Sequence, residues 1–209
     1  MLKAVLFIAF IGHVLCGICD CLLSYSPNGR LDLKEALKSP EKMREVFKDY
    51  PTKWSLLSIM LGVYAITAFS FGYLALSRWM EQYSDTASAI MYISAVVFLI
   101  SIVVHHIICG LVEWLYVRLG KTDAAREAAL EFQIKTIATM VVGYLGLAVF
   151  VITLFIMVVT GKTSLPPWAC VMNTLPLMLV LLPTKLPAQG NIAGAIMFLG
   201  LFFLLYYAL

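Results

Sequence analysis

Charge is what this sequence has least of. Its 15 Lys and Arg and 12 Asp and Glu make only 13% of 209 residues, while 62% are hydrophobic. Soluble domains carry roughly 25% charged residues, so the balance excludes an ordinary water-soluble domain and leaves an integral membrane protein. A net charge of +3 is too small for a nucleic-acid binder. No Gly-rich phosphate loop, His-Glu-x-x-His helix or Gly-x-Ser-x-Gly elbow occurs. No lysine stands in the middle of an apolar run, which excludes a retinal-type Schiff base. Cysteines number five: Cys16, Cys19, Cys109 and Cys170 within apolar runs and Cys21 at the end of one. They read as buried thiols rather than a disulfide framework, and "CGIC" has no redox-fold context for its Cys-x-x-Cys form. No small-x-small cleavage site follows "MLKAVLFIAFIGHVLCGIC", so that stretch is expected to stay as a first helix.

What is present is apolar runs of helix-spanning length. About 20 mostly apolar residues cross a bilayer core, and six segments approach that: Leu2–Ser24, Trp54–Leu76, Ala87–Val117, Ile134–Val159, Trp168–Leu182 and Gly190–Leu209. The fifth is short and carries Pro176, which predicts a tilted, kinked or re-entrant segment. The expectation is an all-α integral membrane protein, a six-helix bundle forming a single membrane domain over residues 1–209. Twelve of the 15 Lys and Arg fall in the first, third and fifth loops; the other three are Lys3, Arg78 and Lys162. The odd loops are therefore expected to be cytoplasmic and both termini outside. Two of these loops, "RLDLKEALKSPEKMREVFKDY" and "KTDAAREAALEFQIKTI", read as amphipathic helices with Asp32 and Asp123 as N-caps. Either the membrane interface or solvent would suit them.

An internal pattern recurs. "HVLCGICD" (13–20) and "HIICGLVE" (106–113) share His-x-x-Cys-Gly-x-x-acid. "GRLD" and "GKTD" follow them, and "LSIMLGVY" and "IATMVVGY" each bring a methionine, a glycine and a tyrosine to the next helix. These matches predict a parallel repeat of helix hairpins, about 1–79 and 87–160, with a divergent third hairpin at about 166–209. His13 and His106 would then sit at one depth. Asp20 and Glu113, seven residues on, would lie about 10 Å nearer the cytoplasm on the same helix faces.

An ionisable side chain inside lipid is costly and marks function by default. All three histidines (His13, His105, His106) and two carboxylates, Asp20 and Glu113, lie within apolar runs. The candidate catalytic residues are thus His13, Asp20, His106 and Glu113. The same four are the candidate ligands for zinc, iron or manganese, although a spacing of seven suits a single ion poorly. Gly17 and Gly110 would make room for a haem held by two histidines, or would simply let helices pack closely. His105, Tyr64, Tyr144, Asn173 and Asn191 are further candidates, each with a packing role as the plainer reading, and Ser24 stands exposed one turn beyond Asp20.

The segments "GICDCLLSYSPNG", "HHIICGLVEWLY" and "GNIAGAIMFLGLFF" resemble uncharacterised polytopic membrane families of bacteria. That resemblance implies a bacterial plasma-membrane protein and no particular activity. Lipid hydrolases of the alkaline ceramidase type share an inventory of Ser, Asp and three His, but their closing His-x-x-x-His helix is absent, so no residue is carried over. The leading functional expectation is an intramembrane enzyme on a lipid or other apolar substrate. A small proton- or ion-coupled transporter and a haem-binding or structural subunit are the alternatives. The bilayer, a small substrate or ion, and further copies of the chain in a homo-oligomer are the expected partners.

Overall fold

The computed structural model describes residues 1–31 and 38–207, with side chains to 205. Among the described residues, four helices are long and apolar enough to cross a membrane. They are α1 (Leu2–Ser24), α3 (Thr52–Met80), α4 (Asp85–Arg118) and α6 (Ala138–Val159), the last running on almost unbroken from α5 (Asp123–Lys135). A hairpin of β1 (Tyr25–Ser26) and β2 (Gly29–Arg30) and a short α2 (Pro40–Val46) link α1 to α3. The outward faces of α3, α4 and α6 expose Met60, Phe71, Ile93, Ile100, Leu145 and Ile156. Apolar surface on this scale is what lipid-facing helices carry.

The expected fifth helix is broken. Residues Pro167–Met172 and Leu182–Thr184 form 3-10 turns on either side of the short α7 (Thr174–Leu181). Proline removes amide donors and clashes with the preceding turn, and Pro166, Pro167, Pro176 and Pro183 punctuate the segment. It still passes from one end of the bundle to the other. Ser164 accepts from the Tyr83 hydroxyl beyond the end of α3 at 2.7 Å, and the Lys185 carbonyl accepts from Arg30 beside the β-hairpin at 2.6 Å. Lys185 and Ala188 then adopt φ of 52° and 58°, a left-handed pair that turns the chain into α8 (Gln189–Tyr207).

The helices close a ring. Antiparallel neighbours run α8–α1–α3–α4–α6, and α7 packs on both α6 and α8. Small residues set the spacing, because bundles in lipid gain from close backbone approach. A Cβ on Gly12 would lie 2.7 Å from the Ala65 carbonyl oxygen and from the Phe69 nitrogen, and one on Gly146 would lie 2.8 Å from Phe98 N and Ser94 O. Serines add hydrogen bonds between helices: Ser58 Oγ to Cys19 O at 3.0 Å and Ser88 Oγ to Ser77 O at 2.8 Å. Within each expected hairpin the packing is alike, α1 on α3 and α4 on α6, while α3 also packs on α4 and α1 on α8.

The odd loops gather at one end of the ring and form a cap. Arg44 pairs with Asp123 at 2.7 Å, and Lys121 donates to the Lys48 carbonyl at 2.6 Å. The apolar side of α2 is not spread on lipid; Met43, Val46, Phe47 and Tyr50 bury against Ile108, Val112, Tyr116, Ala125 and Ala129. The N-cap of α5 is Thr122, whose hydroxyl accepts from the Ala125 amide, so Asp123 is free to meet Arg44. The other expected cap, Asp32, lies outside the described residues.

Gly12→Ala should push α1 off the α3 backbone and lower the thermal midpoint in detergent, a loss of about 1–3 kcal/mol. An unchanged midpoint would show that this approach does not hold the two helices together.

Candidate functional site

A cavity of about 450 Å³ lies inside the ring, reaching from Tyr73 and Phe98 at its deep end to Ser24, Leu31 and Leu186 near the cap. Part of the lining is apolar, with Ile66, Phe69, Phe98, Ile102 and Leu147. The rest carries polar groups, several of which follow one another from helix to helix.

The chain starts at Tyr73, whose hydroxyl lies 3.3 Å from Nε2 of His13. Nδ1 of His13 lies 2.9 Å from Oδ1 of Asn191, and Nδ2 of Asn191 donates to Oδ2 of Asp20 at 2.7 Å. Since the Asn191 amide nitrogen is committed to Asp20, its oxygen must accept. His13 therefore carries its proton on Nδ1 and accepts from Tyr73. Its ring is clamped between Phe69, stacked at 4.2 Å, and Phe198 at 5.5 Å, and closes on the bare Cα of Gly194. Oδ1 of Asp20 faces Nδ1 of His106 at 3.5 Å. The other nitrogen of His106 points at the Ser58 carbonyl at 3.0 Å, so Nε2 is the donor there. A Cβ on Gly62 would lie 2.0 Å from that nitrogen, so only glycine admits the ring.

The expected quartet is therefore split. Its four members all line the cavity, but only Asp20 and His106 face each other directly. The acid of the first motif meets the histidine of the second, while the reciprocal pair does not form. Glu113 is buried against the cap, where it accepts from the Tyr50 hydroxyl at 3.0 Å. That hydroxyl also lies 3.0 Å from the Leu22 carbonyl and receives Ser55 at 3.2 Å. Burial, with the Glu113 carboxylate alongside, pushes the Tyr50 phenol above its ordinary range.

The other candidates divide as well. His105 lines the cavity between Cys109 Sγ at 3.5 Å and Thr139 Oγ1 at 3.4 Å. Tyr144 and Asn191 also line it, as does Ser24. Tyr64 does not: it is 66% exposed on the outer face of α3. Asn173 is outside the cavity too, capping α7 through the Leu175 amide and donating to the Val151 carbonyl at 2.9 Å. Gly17 is not among the lining residues and faces Asn191 and Ala188 at the start of α8. Gly110 does not open space for a porphyrin, because Ile59 would meet a Cβ there at 2.4 Å, and both nitrogens of His13 are engaged.

Metal-ligand geometry falls on a different trio. Ligand atoms of Cys16, Asp20 and His106 all lie within 4.8 Å of one another. Cys16 was not among the sequence candidates, although its position four residues before Asp20 puts both on one helix face. Tyr73 and Tyr50 were missed too; an apolar run and a loop hide them equally.

Together these features define an all-helical protein with membrane-length apolar helices around one polar-walled cavity. A family model described as "Family of unknown function (DUF6796)" matches residues 1–208, and the chain belongs to that family. No curated protein and no solved structure matches it.

Asn191→Ala would strand both His13 Nδ1 and Asp20 Oδ2, and is expected to cost about 1–3 kcal/mol in thermal unfolding in detergent. No change would mean water replaces the amide. The raised Tyr50 phenol also fixes a pH dependence. Its folded pKa lies above its unfolded value near 10, so its contribution is complete below that pH and is lost as pH rises past it. Alkaline destabilisation should be smaller in Tyr50→Phe; an identical pH profile in both proteins would refute the linkage.

Proposed function

We propose that this protein is an intramembrane enzyme acting on an amphiphilic, lipid-derived substrate, with the Asp20–His106 pair as its reactive centre. The observation that carries the reading is that this pair lines a cavity whose lining mixes buried polar groups with apolar side chains such as Ile66, Phe69, Ile102 and Leu147. Pockets of about 300–1,000 Å³ suit small ligands, and this one suits a molecule with a polar group and a short apolar portion. His13 and Asn191 act as positioning residues, holding the second oxygen of Asp20. In this reading the broken segment and α8 complete six crossings. The capped end faces the cytoplasm, as the excess of Lys and Arg there favours.

A transporter using the same residues is the second reading, favoured by the run of polar side chains from Tyr73 to His106 inside the bundle. One-sided access weighs against it. Beyond Tyr73 the bundle is closed by fully buried Phe150, Phe198, Leu76, Met80 and Met91. The test reconstitutes wild-type and His106→Ala protein in liposomes of total bacterial lipid, with mass spectrometry of the lipids and a pH-sensitive dye inside. The enzyme reading expects a lipid species converted by wild type and conversion slowed by about 10²-fold or more in the variant. His106→Gln, matched by chromatographic profile, controls for folding. Unchanged lipids together with His106-dependent proton flux would replace the enzyme with the transporter.

A further inference from the structure

We propose that Cys16, Asp20 and His106 form a seat for one divalent transition-metal ion of the zinc class, with its fourth position open to the cavity. The inference deepens the enzyme reading by giving the reactive pair a third member, and ion binding itself is measurable without any substrate.

The distances favour ligands over a hydrogen bond. Charge-assisted pairs close to about 2.7–2.9 Å, whereas Asp20 Oδ1 and His106 Nδ1 stand 3.5 Å apart. Two ligands at about 2.0–2.2 Å from one tetrahedral ion are separated by about 3.3 Å. The thiolate needs to be about 3.6 Å from the ring nitrogen in such a site, and Cys16 Sγ already lies within 4.8 Å of both partners.

The surroundings of His106 match those of a metal-ligating imidazole. Such rings usually donate their second N–H to a carbonyl or carboxylate, which fixes the tautomer and aims the lone pair. Nε2 of His106 is held at the Ser58 carbonyl and Gly62 leaves the ring its place, so Nδ1 is directed at Asp20 and Cys16. The same geometry argues against a Cys–His–Asp nucleophile relay. A relay needs thiol and carboxylate on opposite ring nitrogens, and here the opposite nitrogen is taken by Ser58.

Charge completes the argument. One thiolate and one carboxylate neutralise a dication, and a neutral site is far cheaper to bury than either anion alone. The Cys16 thiol proton leaves to water through the cavity as the ion binds. Mixed sulfur, nitrogen and oxygen donors with three protein ligands are the pattern of a zinc site that keeps an open position.

The test uses the full chain in detergent, stripped with chelator and titrated with Zn²⁺ or Co²⁺ alone. We expect one ion per chain and a cobalt–thiolate charge-transfer band that is lost in Cys16→Ser and retained in Cys19→Ser. Asp20→Asn, His106→Ala and the ligand-preserving Gly62→Ala should each bind about tenfold or more weakly. In the wild-type protein, where no variant need fold, zinc should protect Cys16 from alkylation. Absence of stoichiometric binding, a band that survives Cys16→Ser, or Cys16 alkylated equally with and without zinc would each overturn the site. Lipid conversion without ion binding would leave the enzyme reading on a metal-free pair; ion binding without conversion would keep the site and sink the enzyme.

Discussion

Polar atoms inside an apolar helix bundle need partners inside the bundle, and this requirement organises the structure, with the Tyr116 hydroxyl as the exception among the described buried side chains. Hydrocarbon offers no hydrogen bonds, so a stranded donor or acceptor costs several kcal/mol. The chain from Tyr73 through His13, Asn191 and Asp20 to His106 and the Ser58 carbonyl satisfies the requirement with side chains from α3, α1, α8 and α4 in turn. Apart from the 3.5 Å step between Asp20 and His106 its links are hydrogen bonds, so the position of each member depends on its neighbours. The turn at Lys185 and Ala188 that starts α8, remote in sequence from α1, belongs to the site because Asn191 follows it by one turn.

The same requirement explains what could be read from the sequence. His106, Asp20 and Asn191 stood out because ionisable and amide groups in apolar runs are expensive and need a reason. Cys16 did not, since a thiol in an apolar helix is ordinary filler; only its four-residue offset from Asp20 marks it. Tyr64 and Tyr144 hold matching places in the repeated segments, yet one faces outward and the other lines the cavity. Position in a motif does not determine which way a helix is turned; packing does. The four long helices follow from length and composition. The broken fifth segment follows from its prolines in kind, but not in where the breaks fall. Thr122 and Asp123 are both competent caps, and it is the tertiary contact with Arg44 that assigns their roles.

The repeated His-x-x-Cys-Gly-x-x-acid motif yields one paired centre rather than two. Asp20 reaches His106, but Glu113 does not reach His13: Glu113 sits at the capped end with Tyr50, while His13 lies deeper, between Phe69 and Phe198, with Asn191 and Tyr73 at its nitrogens. The difference traces to α8, which packs on α1 and has no counterpart beside α4. Once α8 supplies Asn191, His13 has no remaining lone pair to offer the cavity. Its role becomes support of Asp20.

Glu113 is then a buried acid with no histidine, and the cap supplies its partner. The Tyr50 hydroxyl lies within reach of both Glu113 on α4 and the Leu22 carbonyl on α1, two residues past Asp20. Those are the two helices that carry Asp20 and His106, and they touch each other little. Their separation is set instead by α3, which receives α1 closely at Gly12 and α4 closely at Gly110. Tyr50 ties the same two helices at the capped end. The gap between Asp20 and His106 is thus bounded by the approach at Gly12 deeper in the bundle, and on the capped side by the approach at Gly110 and one phenol. Held from both sides, Asp20 and His106 stand 3.5 Å apart, close to the spacing that the proposed ion would ask of two of its ligands.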